Sequence, residues 1–88
     1  MGLALEGLPT ESMNYEKRLS SLPCGEWGRV ALLLTEGGMR RRFLDVGLVP
    51  GTEVACLGAS PLGDPRAYLI RGKVIAIRSS DAESVVLF

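Results

Sequence analysis

The stretch Arg42-Phe43-Leu44-Asp45-Val46-Gly47-Leu48-Val49-Pro50-Gly51 decides the fold of this chain. Its first half continues a helical spacing of apolar residues that begins at Met39. Gly47 follows as a helix stop, because glycine adopts the left-handed cap conformation without a Cβ penalty. Pro50-Gly51 suits a tight turn with proline at the second position. The stretch therefore predicts the end of a helix and a turn that starts a strand.

The predicted helix spans residues 36–46, with Thr35 as its N-cap and Glu36 in the first turn, where a negative charge suits the helix dipole. Met39, Phe43 and Val46 follow helical spacing and form one apolar stripe. We therefore expect these three side chains to fix the helix against the core.

Short runs of apolar and β-branched residues predict strands on both sides of the helix. One strand precedes it at 28–34, and four follow at 52–58, 66–71, 73–78 and 85–88. Gly72 lies between two of them and predicts a tight hairpin. Such short strands are best protected when the sheet closes on itself. The sequence therefore predicts a mainly β protein, a small β-barrel with one short α-helix inserted after the first strand.

The composition describes one small domain without the residues of an active site. The chain has 88 residues, no histidine and a formal net charge of zero. Histidine is the commonest general base and metal ligand, and a glycine-rich phosphate loop is also missing. We therefore predict no enzyme activity, no catalytic residues, no cofactor and no metal site. Zero net charge argues against a nucleic-acid partner.

Cys24 and Cys56 are too few and too far apart in sequence for a zinc site, which usually has four ligands. No secretory signal and no apolar run long enough to span a membrane is recognisable. We expect a cytoplasmic protein in which both cysteines are free thiols used for packing. Residues 1–18 follow no sustained period and predict a flexible N-terminal extension, which leaves 19–88 as the folded domain.

Two surface features remain, each with a structural and a functional interpretation. Arg40-Arg41-Arg42 is either a solvated helix face or a docking surface for an acidic partner, since arginine suits carboxylates and is enriched at interfaces. Pro61-Leu62-Gly63-Asp64-Pro65 is either a rigid hairpin loop or a loop that presents Leu62 as an apolar anchor.

Taken in order, these motifs resemble the FeoA family, also called ferrous iron transport protein A. The resemblance covers residues 19–88 and rests on 42–51, 61–65, Arg71-Gly72, Ala76-Ile77-Arg78 and Asp81-Ala82. It implies an SH3-like β-barrel without enzymatic activity. It also implies a cytosolic partner of FeoB, the membrane ferrous iron transporter that carries a cytosolic GTPase domain.

The leading hypothesis is therefore an adaptor that modulates an FeoB-type transporter by protein–protein contact and reaches the membrane only through that partner. Candidate contact residues lie on the helix, after its stop and in the loop: Arg40, Arg41, Leu48, Leu62 and Asp64. The residues expected to set the structure are Met39, Phe43, Val46, Gly47, Pro50, Gly51 and Gly72.

Two other functions stay open at this point. A metal-sensing or iron-binding regulatory module would use Cys24, Cys56 and nearby carboxylates as ligands. A nucleic-acid-binding barrel would rely on the arginine cluster, and its affinity would depend steeply on salt. Edge strands are also compatible with a homo-oligomer.

Overall fold

The structure, a computed structural model, describes residues 17–88. In chain order these residues form a 3₁₀ turn (Leu19–Ser21), β1 (Trp27–Leu33), α1 (Gly37–Asp45), β2 (Glu53–Ala59), β3 (Arg66–Ile70), β4 (Lys73–Ile77), α2 (Ser79–Ala82) and β5 (Val85–Leu87). The extension predicted at 1–18 lies outside the described residues as far as residue 16. Lys17 and Arg18 already pair with β5, and the Leu87 N–H donates to the carbonyl of Lys17 at 2.8 Å.

The strands of residues 17–88 form one five-stranded antiparallel sheet in the order β4-β3-β2-β1-β5. Strand β1 changes partner along its length: residues 27–29 pair with β2, and residues 30–33 pair with β5, with a register shift between Val30 and Leu32. Such an irregularity bends a strand and increases its twist, so the sheet curls around its core. The prediction of a mainly β protein with a helix after the first strand is confirmed.

The core lies inside the curled sheet, and the 3₁₀ turn and the segment after α1 contribute to it. The fully buried side chains include Leu19, Val30, Leu48, Val54, Cys56, Tyr68, Ile70 and Val85. Tyr68 is the largest, and its hydroxyl donates to the carbonyl of Leu19 at 3.2 Å. This bond matters because a buried hydroxyl without a partner is costly.

Helix α1 begins later than the sequence predicts. Its N-cap is Glu36, in an extended conformation and without a side-chain capping bond, so the prediction of Thr35 as N-cap is wrong. The physical reason is the backbone of Gly37, whose φ of 68° turns the chain into the helix at that point. Glycine adopts this conformation without a steric cost.

Helix α1 ends at a glycine in the left-handed conformation. Gly47 has a φ of 103°, and its N–H donates to the carbonyl of Leu44 at 3.1 Å. The N–H of Leu48 reaches back to the carbonyl of Phe43 at 2.9 Å. These two bonds form a Schellman motif, which satisfies carbonyls that the helix end would leave unpaired.

A tight turn follows the helix and starts β2. The N–H of Thr52 donates to the carbonyl of Val49 at 3.0 Å, with Pro50 and Gly51 between them. Gly51 has a φ of 93°, as the third position of a type II turn requires. The turn redirects the chain toward β1, where the N–H of Gly51 donates to the carbonyl of Val30 at 2.7 Å.

The β3–β4 hairpin turns through two residues rather than one. Arg71 and Gly72 have φ values of 53° and 84°, and Ile70 faces Lys73 across the strand pair. Positive φ at both central residues is the type I′ pattern, whose twist matches that of the flanking strands. The predicted strand at 66–71 is therefore one residue too long, because Arg71 belongs to the turn.

Candidate partner-binding surface

A groove runs between helix α1 and the edge strand β4. Its volume is about 470 Å³, and it has an apolar floor and a charged rim. The floor consists of Met39, Phe43 and Val46 from α1 and of Ile75 and Ile77 from β4. The rim includes Arg42, Arg78 and Asp81. The apolar stripe of α1 thus packs on the core and also lines a concave surface, since Phe43 is buried while Met39 and Val46 remain partly accessible.

The three consecutive arginines of α1 differ in where they lie. Arg42 lines the groove, whereas Arg40 and Arg41, the two predicted contact residues, are exposed outside its lining. The sequence prediction missed Arg42 as a groove residue. It also missed Ile75 and Ile77, although their period-two spacing on a strand places both side chains on one face.

The loop at 60–65 presents Leu62 to solvent at 94% exposure. Its conformation is set by its own hydrogen bonds. The N–H of Gly63 donates to the carbonyl of Ser60 at 2.7 Å, and the N–H of Ser60 donates to the carbonyl of Pro65 at 3.1 Å. Because the backbone of this loop is already held by hydrogen bonds, it loses little conformational entropy when a partner covers Leu62. Pro65 also lines the groove, so loop and groove adjoin.

Asp64, a predicted contact residue, ties this loop to helix α2. Its Oδ1 accepts hydrogen bonds from the backbone N–H of Ser79 at 2.8 Å and from the Ser79 hydroxyl at 3.1 Å. Ser79 is the first residue of α2, so the carboxylate satisfies one of the unpaired donors at that helix start. Asp64 therefore positions the loop beside the groove.

Leu48 does not lie on the surface, and its prediction as a contact residue is wrong. The side chain is 0% exposed and belongs to the core. The Schellman motif explains this placement, because the residue after the left-handed glycine commonly makes a hydrophobic contact back onto the helix. The motif itself was visible in the sequence and could have assigned Leu48 to the core.

Cys24 and Cys56, separated by 31 intervening residues, come together with Arg66. Their Sγ atoms lie 3.5 Å apart, and the Arg66 guanidinium donates to the Cys24 Sγ at 3.6 Å. The prediction of two packing thiols therefore holds for the buried Cys56 and is wrong for Cys24, which is exposed. Within residues 17–88 no three His, Cys, Asp or Glu side chains are grouped to hold a metal ion.

The two cysteines have opposite electrostatic environments. Hydrogen bonds from Arg66 and from Cys56 lower the pKa of Cys24. Burial raises the pKa of Cys56, because the thiolate would lose its hydration, and the hydrogen bond to Cys24 raises it further. Cys24 is thus the thiol of this pair that ionises first.

Comparisons with known proteins match the chain to the FeoA domain and to solved FeoA proteins. The model of the FeoA domain matches residues 17–87. The FeoA protein of Chlorobium tepidum is 34% identical with a TM-score of 0.75, over 80% of this chain and 67% of that one. FeoA of Stenotrophomonas maltophilia, an SH3 domain protein solved in complex with zinc, is 28% identical with a TM-score of 0.72, over 81% of this chain and 88% of that one. The SH3-like fold implied by the resemblance is confirmed.

A curated relative is the Fe(2+) transport protein A/Fe(2+) transporter FeoB fusion protein of Porphyromonas gingivalis, which is 31% identical over 68 residues. The match covers 77% of this chain but only 8% of the fusion protein. No helix among residues 17–88 is both long and apolar enough to cross a membrane. Since the FeoA domain model matches most of its length, this chain belongs to the FeoA domain family.

Proposed function

We propose that this chain is a non-enzymatic cytoplasmic protein that modulates an FeoB-type ferrous iron transporter by binding its cytosolic part. The contact surface is the α1–β4 groove together with Leu62. The observation that carries the proposal is the adjacency of these two features, an apolar groove with a charged rim and an apolar side chain at the tip of an ordered loop.

The family supports this choice of partner. FeoA proteins are associated with FeoB ferrous iron transport and are generally non-catalytic accessory proteins. In the P. gingivalis relative the two proteins are parts of one chain. Fusion keeps the two partners at a high effective concentration, which favours a contact between them.

The groove indicates the chemistry of the segment that it binds. Its floor of Phe43, Val46 and Ile75 suits an apolar side chain, because burying such a side chain contributes about 1.5–3 kcal/mol. Arg42 and Arg78 at the rim suit carboxylates, which arginine binds through two parallel hydrogen bonds. We therefore infer that the bound segment of the transporter carries an apolar anchor flanked by acidic residues.

A titration tests the proposal directly. The full chain is titrated with the isolated GTPase domain of the transporter from the same organism, with a GTP analogue, with GDP and without nucleotide. Affinity and hydrolysis rate are followed together. We expect saturable binding that Leu62→Asp weakens at least tenfold, because a carboxylate would replace the exposed apolar anchor.

Val74→Asp is the matched control. Val74 is 63% exposed on β4 and lies outside both the groove lining and the loop, so we expect this variant to bind like the wild-type chain. Thermal unfolding checks that both variants remain folded. Absence of binding in every nucleotide state would rule out the GTPase domain, and equal losses in the two variants would rule out the proposed surface.

A further inference from the structure

The strand pairing brings Cys24 and Cys56 into a position where a disulfide can form. The two residues form an isolated parallel bridge, and the N–H of Gly25 donates to the carbonyl of Cys56 at 2.7 Å. Residues paired in this way have Cα atoms about 5 Å apart, within the range that disulfides span. Their Sγ atoms are 3.5 Å apart, and both thiols are free. The two sulfurs would have to approach by about 1.5 Å to reach the S–S bond length of about 2 Å.

The pair is asymmetric in its access to solvent. Cys24 is exposed, whereas Cys56 is 0% exposed and belongs to the core. A dissolved oxidant can therefore reach the Cys24 sulfur, while Cys56 is positioned to react only with a sulfur beside it. An exposed sulfur that meets the oxidant first and a buried sulfur beside it are the arrangement expected of a reactive thiol, here Cys24, and a resolving thiol, here Cys56.

Arg66 supplies the group that activates Cys24. Its guanidinium is fixed by hydrogen bonds to the carbonyls of Ser20 and Leu22, the latter at 3.0 Å. From this position it donates to the Cys24 Sγ at 3.6 Å. Burial raises the pKa of Cys56 and of the neighbouring Tyr68, so neither adds a negative charge beside Cys24 at neutral pH. A positive charge beside an exposed sulfur favours the thiolate, which is the nucleophilic form of cysteine.

We propose that Cys24 and Cys56 are a peroxide-sensitive dithiol in which Cys24 is oxidised first and Cys56 resolves it to an intramolecular disulfide. In reducing compartments, the disulfides that do form are commonly transient and redox-sensing. None of the three residues of this cluster lines the α1–β4 groove, so the inference stands independently of the proposed transporter contact.

The reaction has two steps that balance. The Cys24 thiolate attacks one oxygen of hydrogen peroxide, the O–O bond breaks, and the departing hydroxide takes up the proton that the thiol had released. Cys24 is now a sulfenic acid and one water has formed. The Cys56 sulfur then attacks the Cys24 sulfur, the S–O bond breaks, and the hydroxyl leaves with the Cys56 proton as a second water. Two thiols have lost two electrons to the peroxide, and a dithiol reductant reverses the change.

Intact-mass measurement on the full chain tests the proposal. The reduced protein is treated with an equimolar amount of hydrogen peroxide, any remaining thiol is alkylated, and the mass is recorded before and after reduction. We expect a monomer that has lost two hydrogen atoms, carries no alkyl group and regains both thiols on reduction. A product that instead gains oxygen atoms, or only a cross-linked dimer, would overturn the proposal.

Three variants distinguish the roles within the cluster. In Cys56→Ala we expect a sulfenic acid at Cys24 that dimedone traps, and in Cys24→Ser we expect no oxidation because Cys56 is buried.

Arg66→Gln is expected to slow alkylation of Cys24 several-fold at neutral pH and to leave the rate unchanged at alkaline pH, where any thiol is ionised. Arg66→Lys retains the charge and should restore part of the neutral rate. Oxidation of Cys24→Ser at the wild-type rate would refute the assignment of Cys24, and equal slowing by Arg66→Gln at both pH values would refute activation by charge.

Discussion

At the scale of single residues, Tyr68 shows how burial makes stability depend on pH. Its side chain is 0% exposed, and burial raises its pKa, because the phenolate would lose its hydration in the core. The folded state therefore favours the neutral phenol. The unfolded chain releases this proton at pH about 10, so the free energy of unfolding falls as the pH rises above that value.

Tyr68→Phe removes both the titration and the hydrogen bond. At neutral pH we expect a loss of about 1 kcal/mol in the free energy of unfolding, since the carbonyl of Leu19 keeps its bond from the N–H of Leu22 at 3.1 Å. Above pH about 10 the variant should lose less stability than the wild-type chain. Urea unfolding at neutral and alkaline pH measures both effects. Parallel pH dependence in the two proteins would contradict the role assigned to Tyr68.

Two glycines of the same helical region are expected to respond in opposite directions. At Gly47 an added Cβ would overlap the Cδ of Arg71, and φ is already 103°. Gly47→Ala should therefore reduce the free energy of unfolding by about 2 kcal/mol. At Gly38, inside α1, an added Cβ meets nothing within 4 Å, so Gly38→Ala should stabilise by about 0.5 kcal/mol. Chemical denaturation measures the free energy of unfolding of both variants. A loss of stability in Gly38→Ala as well would contradict the expectation that higher helix propensity at this position stabilises α1.

At the scale of elements, the β3–β4 hairpin depends on the conformation of its turn. Gly72 has a φ of 84°, and an added Cβ would meet nothing within 4 Å. Gly72→Ala should therefore lower the free energy of unfolding by about 1–2 kcal/mol through backbone strain alone. Gly72→Asn should cost less, because asparagine tolerates the left-handed region. Gly58→Ala is the control: an added Cβ on this β2 residue meets nothing within 4 Å, so we expect no loss in the free energy of unfolding. Equal losses for alanine and asparagine at position 72 would contradict this account.

The elements themselves could be predicted from the sequence because local chemistry determines them. The positive φ of Gly47, the turn at Pro50-Gly51 and the strands around residue 72 all follow from residue type and short-range period. The predicted element boundaries are wrong at two places, where a nearby residue in the sequence adopts the turn or cap conformation instead. Gly37 shifts the start of α1, and Arg71 takes part in the turn that the sequence prediction assigned to Gly72 alone.

The contacts between elements could not be predicted, because they depend on which strands become neighbours. Cys24 meets Cys56 because the segment before β1 pairs with β2, and nothing in the local sequence of either cysteine encodes that pairing. Asp64 meets Ser79 for the same reason. The sequence prediction named α1 and the loop at 61–65 as the contact surface, and it did not include the residues of β4 that line the groove.

At the scale of the whole molecule, the net charge of zero hides a local excess of positive charge. Helix α1 carries three consecutive arginines, and Arg42 and Arg78 lie at the groove rim. An acidic partner segment would therefore be attracted locally even though the chain as a whole is neutral. Charges at the rim of an interface act mainly on the association rate, and their effect is screened by salt.

Arg42→Glu tests this local attraction. If the proposed contact with the GTPase domain exists, we expect its association rate to fall about tenfold at low salt, and the difference from the wild-type chain to shrink as salt is added. Lys73→Glu makes the same change in net charge at an exposed position outside the groove lining and should have little effect. Stopped-flow or surface-binding kinetics at several salt concentrations measure both variants. Equal slowing by the two substitutions would mean that total charge, and not the groove rim, governs the encounter.

The pairing of Lys17 and Arg18 with β5 places the two ends of the described part of the chain, residues 17–88, side by side. A domain whose ends are adjacent can be spliced into a loop of another protein, or joined to it at one end, without pulling its own strands apart. The same geometry permits a circular permutant, in which a short linker joins residue 88 to residue 17 and new ends are opened elsewhere. In evolutionary terms, adjacent ends suit a region that is fused to other proteins or inserted into them.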